Sequence, residues 1–157
     1  MKKQKGFSLI ELLIVVAIIL IIAAIAIPNL LKSKMAANES SAVGSLRTVN
    51  TGEVTYAASC PNVGYSATLV ELNTGAICAG GTGIIDNVLA TGTKSGYTFT
   101  YAPGAAAANG IVSTYTNVAV PLNVGVTGQR GFFTDQSGVI RYSLDGSAPT
   151  VAASALQ

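Results

Sequence analysis

No histidine occurs anywhere in these 157 residues. That removes the commonest general base and leaves two cysteines without the imidazole partners of a usual zinc cage. Charge is scarce as well, with nine Lys or Arg and seven Asp or Glu making 10% of the chain. The acids are scattered, and no close pair of carboxylates suggests cooperative acid–base work. A formal charge of +2 is no electrostatic footprint for nucleic acid. Gly80, Gly81 and Gly83, with Lys94-Ser95 further on, fail as a phosphate loop, which needs glycine immediately before the lysine. No constellation supports an enzyme, a cofactor or a metal. The length fits one domain plus an anchor rather than two large cores.

What the chain has in excess is one apolar stretch. Lys2, Lys3 and Lys5 precede Gly6-Phe7-Ser8-Leu9-Ile10-Glu11, and an unbroken apolar run follows from Leu12 to Ile27, ended by Pro28. About 20 residues at 1.5 Å each cross the hydrocarbon core of a bilayer. Positive charge ahead of the run keeps the leader in the cytoplasm and sends the carboxyl-terminal part across. Glu11 is the anomaly. A carboxylate inside hydrocarbon is unfavourable by about 2.5–3.5 kcal/mol, so it needs a partner. A free amine at Phe7, made by cleavage after Gly6, is the nearest candidate. Two other readings stay open. Ala24-Ile25-Ala26 also looks like a signal-peptide cleavage site, which would release a secreted binding domain after Ala26. An uncleaved signal anchor needs only the apolar length. Neither gives Glu11 a role.

The leader, the Gly6-Phe7-Ser8-Leu9-Ile10-Glu11 junction, the apolar run and Pro28 closely resemble the amino terminus of the type IV pilin family, including the pseudopilins of type II secretion. In that family a prepilin peptidase cuts between glycine and phenylalanine and methylates the new amine; here these are Gly6 and Phe7. The resemblance implies a cleaved leader (residues 1–6), a hydrophobic membrane-spanning and filament-core half-helix (7–28), and a globular head (29–157) that includes the rest of the helix. It implies a homo-oligomeric helical filament in which the Glu11 carboxylate meets the methylated Phe7 amine of a neighbour. The implied partners are the prepilin peptidase, the pilus or secretion assembly machinery, and the bacterial inner membrane before assembly. The subunit would cross that membrane once, carboxyl-terminal part outside, and end in an extracellular pilus. A structural pilin is the expected function, with a type II secretion pseudopilin as the alternative.

The remaining composition agrees with export. Residues 1–6 carry three of the nine basic side chains, leaving six against seven acidic ones and a nearly neutral mature subunit. Cys60 and Cys78, facing an oxidising space, read as a disulfide worth about 3 kcal/mol through loop closure. Asp135 and Asp145 read as turn caps, with a calcium site as the lesser reading. Asn38-Glu39-Ser40 formally fits a glycosylation sequon but falls within a helix.

The pattern of residues predicts an α+β fold, a long kinked amino-terminal helix packed on a small antiparallel β-sheet. The helix is apolar nearly all round to Ile27, and Pro28 should kink or locally melt it. Beyond, Leu31, Met35, Ala42, Leu46, Val49 and Val54 recur at helical spacing, with Lys32, Lys34, Glu39 and Arg47 mostly elsewhere on the wheel. Gly44 and Gly52 weaken the interior by about 1 kcal/mol each. The helix should end near Ala58, before Cys60-Pro61. Thr68 to Leu72 reads as a helical turn, and Asp86 as the cap of another through Ala90. Strands are expected at Tyr97–Tyr101, whose alternating aromatics would face the core, and at Tyr115–Val120. Gly131–Asp135 and Val139–Tyr142 should form a hairpin about Gln136-Ser137-Gly138. Ala105 to Gly110 reads as a loop, and the tail from Gly146 as loosely held.

Overall fold

A computed structural model describes residues 6–74 and 83–156. Helix α1 (Leu9–Ser59) is followed by two short helices, α2 (Leu69–Thr74) and α3 (Asn87–Ala90). Six strands then form one antiparallel sheet in sequence order: β1 (Thr93–Lys94), β2 (Tyr97–Pro103), β3 (Tyr115–Pro121), β4 (Gly131–Asp135), β5 (Arg141–Ser143) and β6 (Ser154–Ala155). This is the expected α+β arrangement, with a wider sheet than the three or four strands legible in the sequence. The chain divides into two compact units, one ending at Lys34 and one beginning at Met35.

In the first unit the side chains of α1 are exposed from Leu9 to Ile22 and again from Ala24 to Lys34. Its best 18-residue window has a mean hydropathy of 3.3 and is not buried at all. The helical assignment runs through Pro28 without interruption, so the backbone does not melt there.

In the second unit α1 supplies Ala42, Leu46, Val49 and Tyr56 to the core, at steps of three, four and seven residues that keep one face inward. They meet Tyr97 and Phe99 of β2, Ala119 of β3 and Phe132 of β4. Tyr101 is half-buried against the same cluster, so the aromatic alternation of β2 does face the core. β3 alternates between buried and half-buried along its length, as a sheet packed on one face requires. Gly52 lets the core approach closely: a Cβ there would lie 3.2 Å from Ile84 Cγ2 and 3.4 Å from Ile85 Cγ2.

Several expectations change. Val54 is 63% exposed and Glu39 is buried, because the sheet covers a stripe of α1 slightly rotated from the one its apolar residues trace. The tail is tied down rather than loose: β6 pairs with β5, and the Leu156 N–H donates to the Ile140 carbonyl at 2.7 Å. The β1–β2 turn at Ser95-Gly96 has φ of 50° and 75°, the left-handed pair that a tight two-residue hairpin needs. Asp86 caps α3 as expected, accepting from the Leu89 N–H at 2.9 Å.

Candidate functional site

Helix α1 begins at Leu9, which makes Ser8 its N-cap and Glu11 its third residue. The Glu11 Oε2 accepts a hydrogen bond from the Ser8 backbone N–H at 2.9 Å. The Leu12 N–H in turn donates to the Ser8 carbonyl at 3.2 Å. This is the glutamate half of a capping box, which satisfies an orphan donor and sets a negative charge against the positive end of the helix dipole. Sequence reasoning passed over this role, although the Ser-x-x-Glu spacing of Ser8 and Glu11 is its signature. Glu11 therefore has local work before any partner arrives. Phe7 stands 82% exposed beside it. Gly6 is likewise exposed. Lys2, Lys3 and Lys5 lie outside the described residues.

The second unit is held by two buried carboxylates that no sequence motif announces. Glu39 sits on α1 with Oε1 accepting the backbone N–H groups of Gln129 (2.8 Å) and Arg130 (3.1 Å). Its Oε2 meets Arg130 Nε at 2.8 Å. Burial pushes its carboxyl up, but the Gln129 and Arg130 contacts together outweigh it and leave the group below the usual range. The Arg130 guanidinium also lies 5.5 Å over Phe132 and 5.8 Å over Tyr142, a stacked cation that Lys would not replace.

Glu53, wholly buried, accepts from the Ser66 backbone N–H (2.9 Å) and from its hydroxyl (2.6 Å). Here burial dominates, and its carboxyl is raised despite the Ser66 and Tyr101 hydrogen bonds. The Tyr101 hydroxyl donates to the Ser66 carbonyl at 2.8 Å. These contacts fasten the chain after α1 to both α1 and β2. Between the carboxylates, Asn50 donates to the Thr134 hydroxyl (2.9 Å) and accepts from Tyr115 (3.0 Å).

Cys60 is buried immediately past α1. No free cysteine occurs among the described residues; Cys78 lies outside them, as do Gly80 and Gly81. Asp135 and Asp145 each accept from a serine two residues on, Ser137 and Ser147, through both its backbone N–H and its hydroxyl. They are turn caps. Asn38 is committed to the Thr127 carbonyl at 2.8 Å and lies within α1, which leaves its amide poorly placed as a glycosylation acceptor.

Residues 1–27 match the prokaryotic N-terminal methylation motif. Over 40 residues the chain is 60% identical to the type IV wide pilus major component PilA4 of Thermus thermophilus, covering 26% of this chain and 30% of that protein. Over 54 residues it is 46% identical to the type IV major pilin protein PilA of Myxococcus xanthus, covering 34% of this chain and 24% of that protein. The similarity thus spans less than a third of each relative. No solved structure matches. The amino-terminal segment is similar to that of type IV pilins, and the long apolar helix and antiparallel sheet are consistent with the α+β fold of such proteins.

Proposed function

We propose that this chain is the structural subunit of a type IV pilus-like extracellular filament. The observation that carries the proposal is the uncovered apolar half of α1, headed by Gly6-Phe7 and Glu11. A prepilin peptidase removes residues 1–6 and methylates the Phe7 amine. Residues 7–28 then hold the subunit in the bacterial inner membrane, with the 29–157 head outside. Extraction from the bilayer exposes apolar surface that must be reburied, and stacking many such helices reburies it at about 25 cal/mol per Å². Head-to-tail contacts that do not close generate a helical filament.

Glu11 sets the axial register. Its carboxylate pairs with the methylated Phe7 amine of a neighbour, and a misplaced subunit leaves a buried charge unpaired, a penalty of about 3–5 kcal/mol. Pro28 deletes one backbone hydrogen bond of α1 and gives the packed helix a place to kink. Cys60 and Cys78 close the segment behind α1 as a disulfide. The pilus or secretion assembly machinery supplies the work of extraction.

The test is the mass of the amino-terminal peptide in filaments sheared from cells. A peptide beginning at N-methylated Phe7 is expected. One beginning at Ile27 would instead establish a released soluble domain and remove the assembly mechanism.

A further inference from the structure

The connection between β3 and β4 spends its polar groups on itself: the Asn123 N–H donates to the Thr127 hydroxyl, which donates back to the Asn123 carbonyl, both at 3.1 Å. The Val126 and Thr127 N–H groups also reach the Asn123 carbonyl, and the Gly125 N–H reaches that of Gly128. Its apolar side chains are left out: Leu122, Val124 and Val126 are 53%, 51% and 61% exposed. Leu144, 71% exposed, follows β5, and its carbonyl lies 3.5 Å from the Gln129 amide. Gly146 packs so close to Val124 that a Cβ there would fall 2.6 Å from Val124 Cγ2. These four side chains thus belong to two segments in mutual contact, on a backbone held by its own hydrogen bonds. Grouped apolar exposure of this kind marks an interaction surface.

Position selects the partner. At one end of β3 and β4, Tyr115 and Thr134 bond to Asn50 of α1. At the other end Thr127, Gln129 and Arg130 bond to Asn38 and Glu39. The β3–β4 connection therefore caps the head at the end from which α1 runs back to Met35. Immediately before Met35 in the chain come exposed Lys34 and Lys32, then exposed Leu31 and Leu30 at the close of the apolar stretch. Lysines at the edge of a membrane span meet lipid phosphates, and apolar side chains beside them enter the headgroup–acyl boundary.

We infer that Leu122, Val124, Val126 and Leu144 form a second, shallow membrane contact that seats the head on a phospholipid surface while α1 is inserted. The inference rests on the membrane-inserted stage proposed above.

The chain contains no tryptophan, so a single introduced one reports only its own position. The full mature chain is reconstituted in phosphatidylethanolamine–phosphatidylglycerol vesicles containing lipids brominated high on the acyl chain. Four variants are compared: Val124→Trp and Leu144→Trp in the patch, Leu20→Trp in the apolar helix, and Val151→Trp. Val151 is exposed beside Gln136 at the opposite end of the sheet. The expected result is a blue shift and loss of emission for the Val124→Trp, Leu144→Trp and Leu20→Trp chains, with Val151→Trp unaffected. Quenching of Leu20→Trp with both patch variants behaving like Val151→Trp would overturn the inference and leave insertion standing. An unquenched Leu20→Trp chain would overturn insertion and the inference together. A blue shift of Val124→Trp that arises only on filament formation would assign the patch to a subunit contact and overturn the lipid assignment.

Discussion

Glu11 faces two demands that a pair of substitutions can separate. Its carboxylate caps α1 through the Ser8 N–H, a task that glutamine performs comparably in capping boxes. In the filament proposed above, only the carboxylate would carry the charge that answers a neighbour's amine. Glu11→Gln should therefore keep the helix start, undergo cleavage after Gly6 and still fail to assemble, as Glu11→Ala should. Sheared-filament yield checks this. A normal yield from Glu11→Gln, with loss only in Glu11→Ala, would reduce the residue to a helix cap.

Glu53 poses a question of pH. Its carboxyl is raised above the ordinary 4.5, so the folded state binds the proton more tightly than the unfolded state. The stability that protonation contributes is fully present below the unfolded value and is lost as pH rises through the higher folded value. The melting temperature of the native chain, relative to that of Glu53→Gln, should accordingly rise between pH 7 and pH 4.5. A pH-independent difference would mean that Ser66 holds the carboxylate ionised throughout. Glu39, lowered by its partners, runs the other way and loses its contribution on acidification. Because both chains retain it, it drops out of the comparison.

At the scale of the element, α1 is one helix with two kinds of support. Up to Lys34 it is exposed apolar surface; from Glu39 one stripe is fixed by packing. Its two mid-helix glycines differ for that reason. A Cβ at Gly44 meets nothing within 4 Å, so Gly44→Ala should stabilise the head by about 1 kcal/mol through helix propensity. At Gly52 the same gain is opposed by Ile84 and Ile85, and the larger Gly52→Val should destabilise. Urea denaturation of the two variants measures both signs, and a stabilised Gly52→Val would disprove the close packing.

The same distinction governs how legible the elements are. β2 and β3 were readable because alternation reports one buried face; β4, buried along its whole length, and β5 were readable from the hairpin signal about Gln136-Ser137-Gly138. β1 and β6 are two residues long, too short for any period to register. They are ordered by ladder bonds to strands already in place.

For the whole molecule, every buried side chain among the described residues lies at Glu39 or later. The head therefore carries its own core and needs nothing before Met35. A chain beginning at Met35 should be monomeric without detergent and melt cooperatively, by size-exclusion chromatography and circular dichroism. The mature chain beginning at Phe7 should require detergent, lipid or assembly. An unfolded Met35 fragment would show that the apolar half-helix contributes to the fold as well as to association.

The sequence by itself determined the membrane-length helix, the Gly6-Phe7 junction with its carboxylate, and the α+β class. Each of these is local: a run, a spacing or a period carries it within a few turns of chain. Tertiary structure decided which stripe of α1 is covered, how the tail is tied down, and where the buried carboxylates find their partners. Glu39 meets Arg130 from 91 residues away, and Glu53 meets Ser66 only because α1 ends and the chain doubles back. Such pairings depend on desolvation, and burial is a property of the packed chain that no single segment carries.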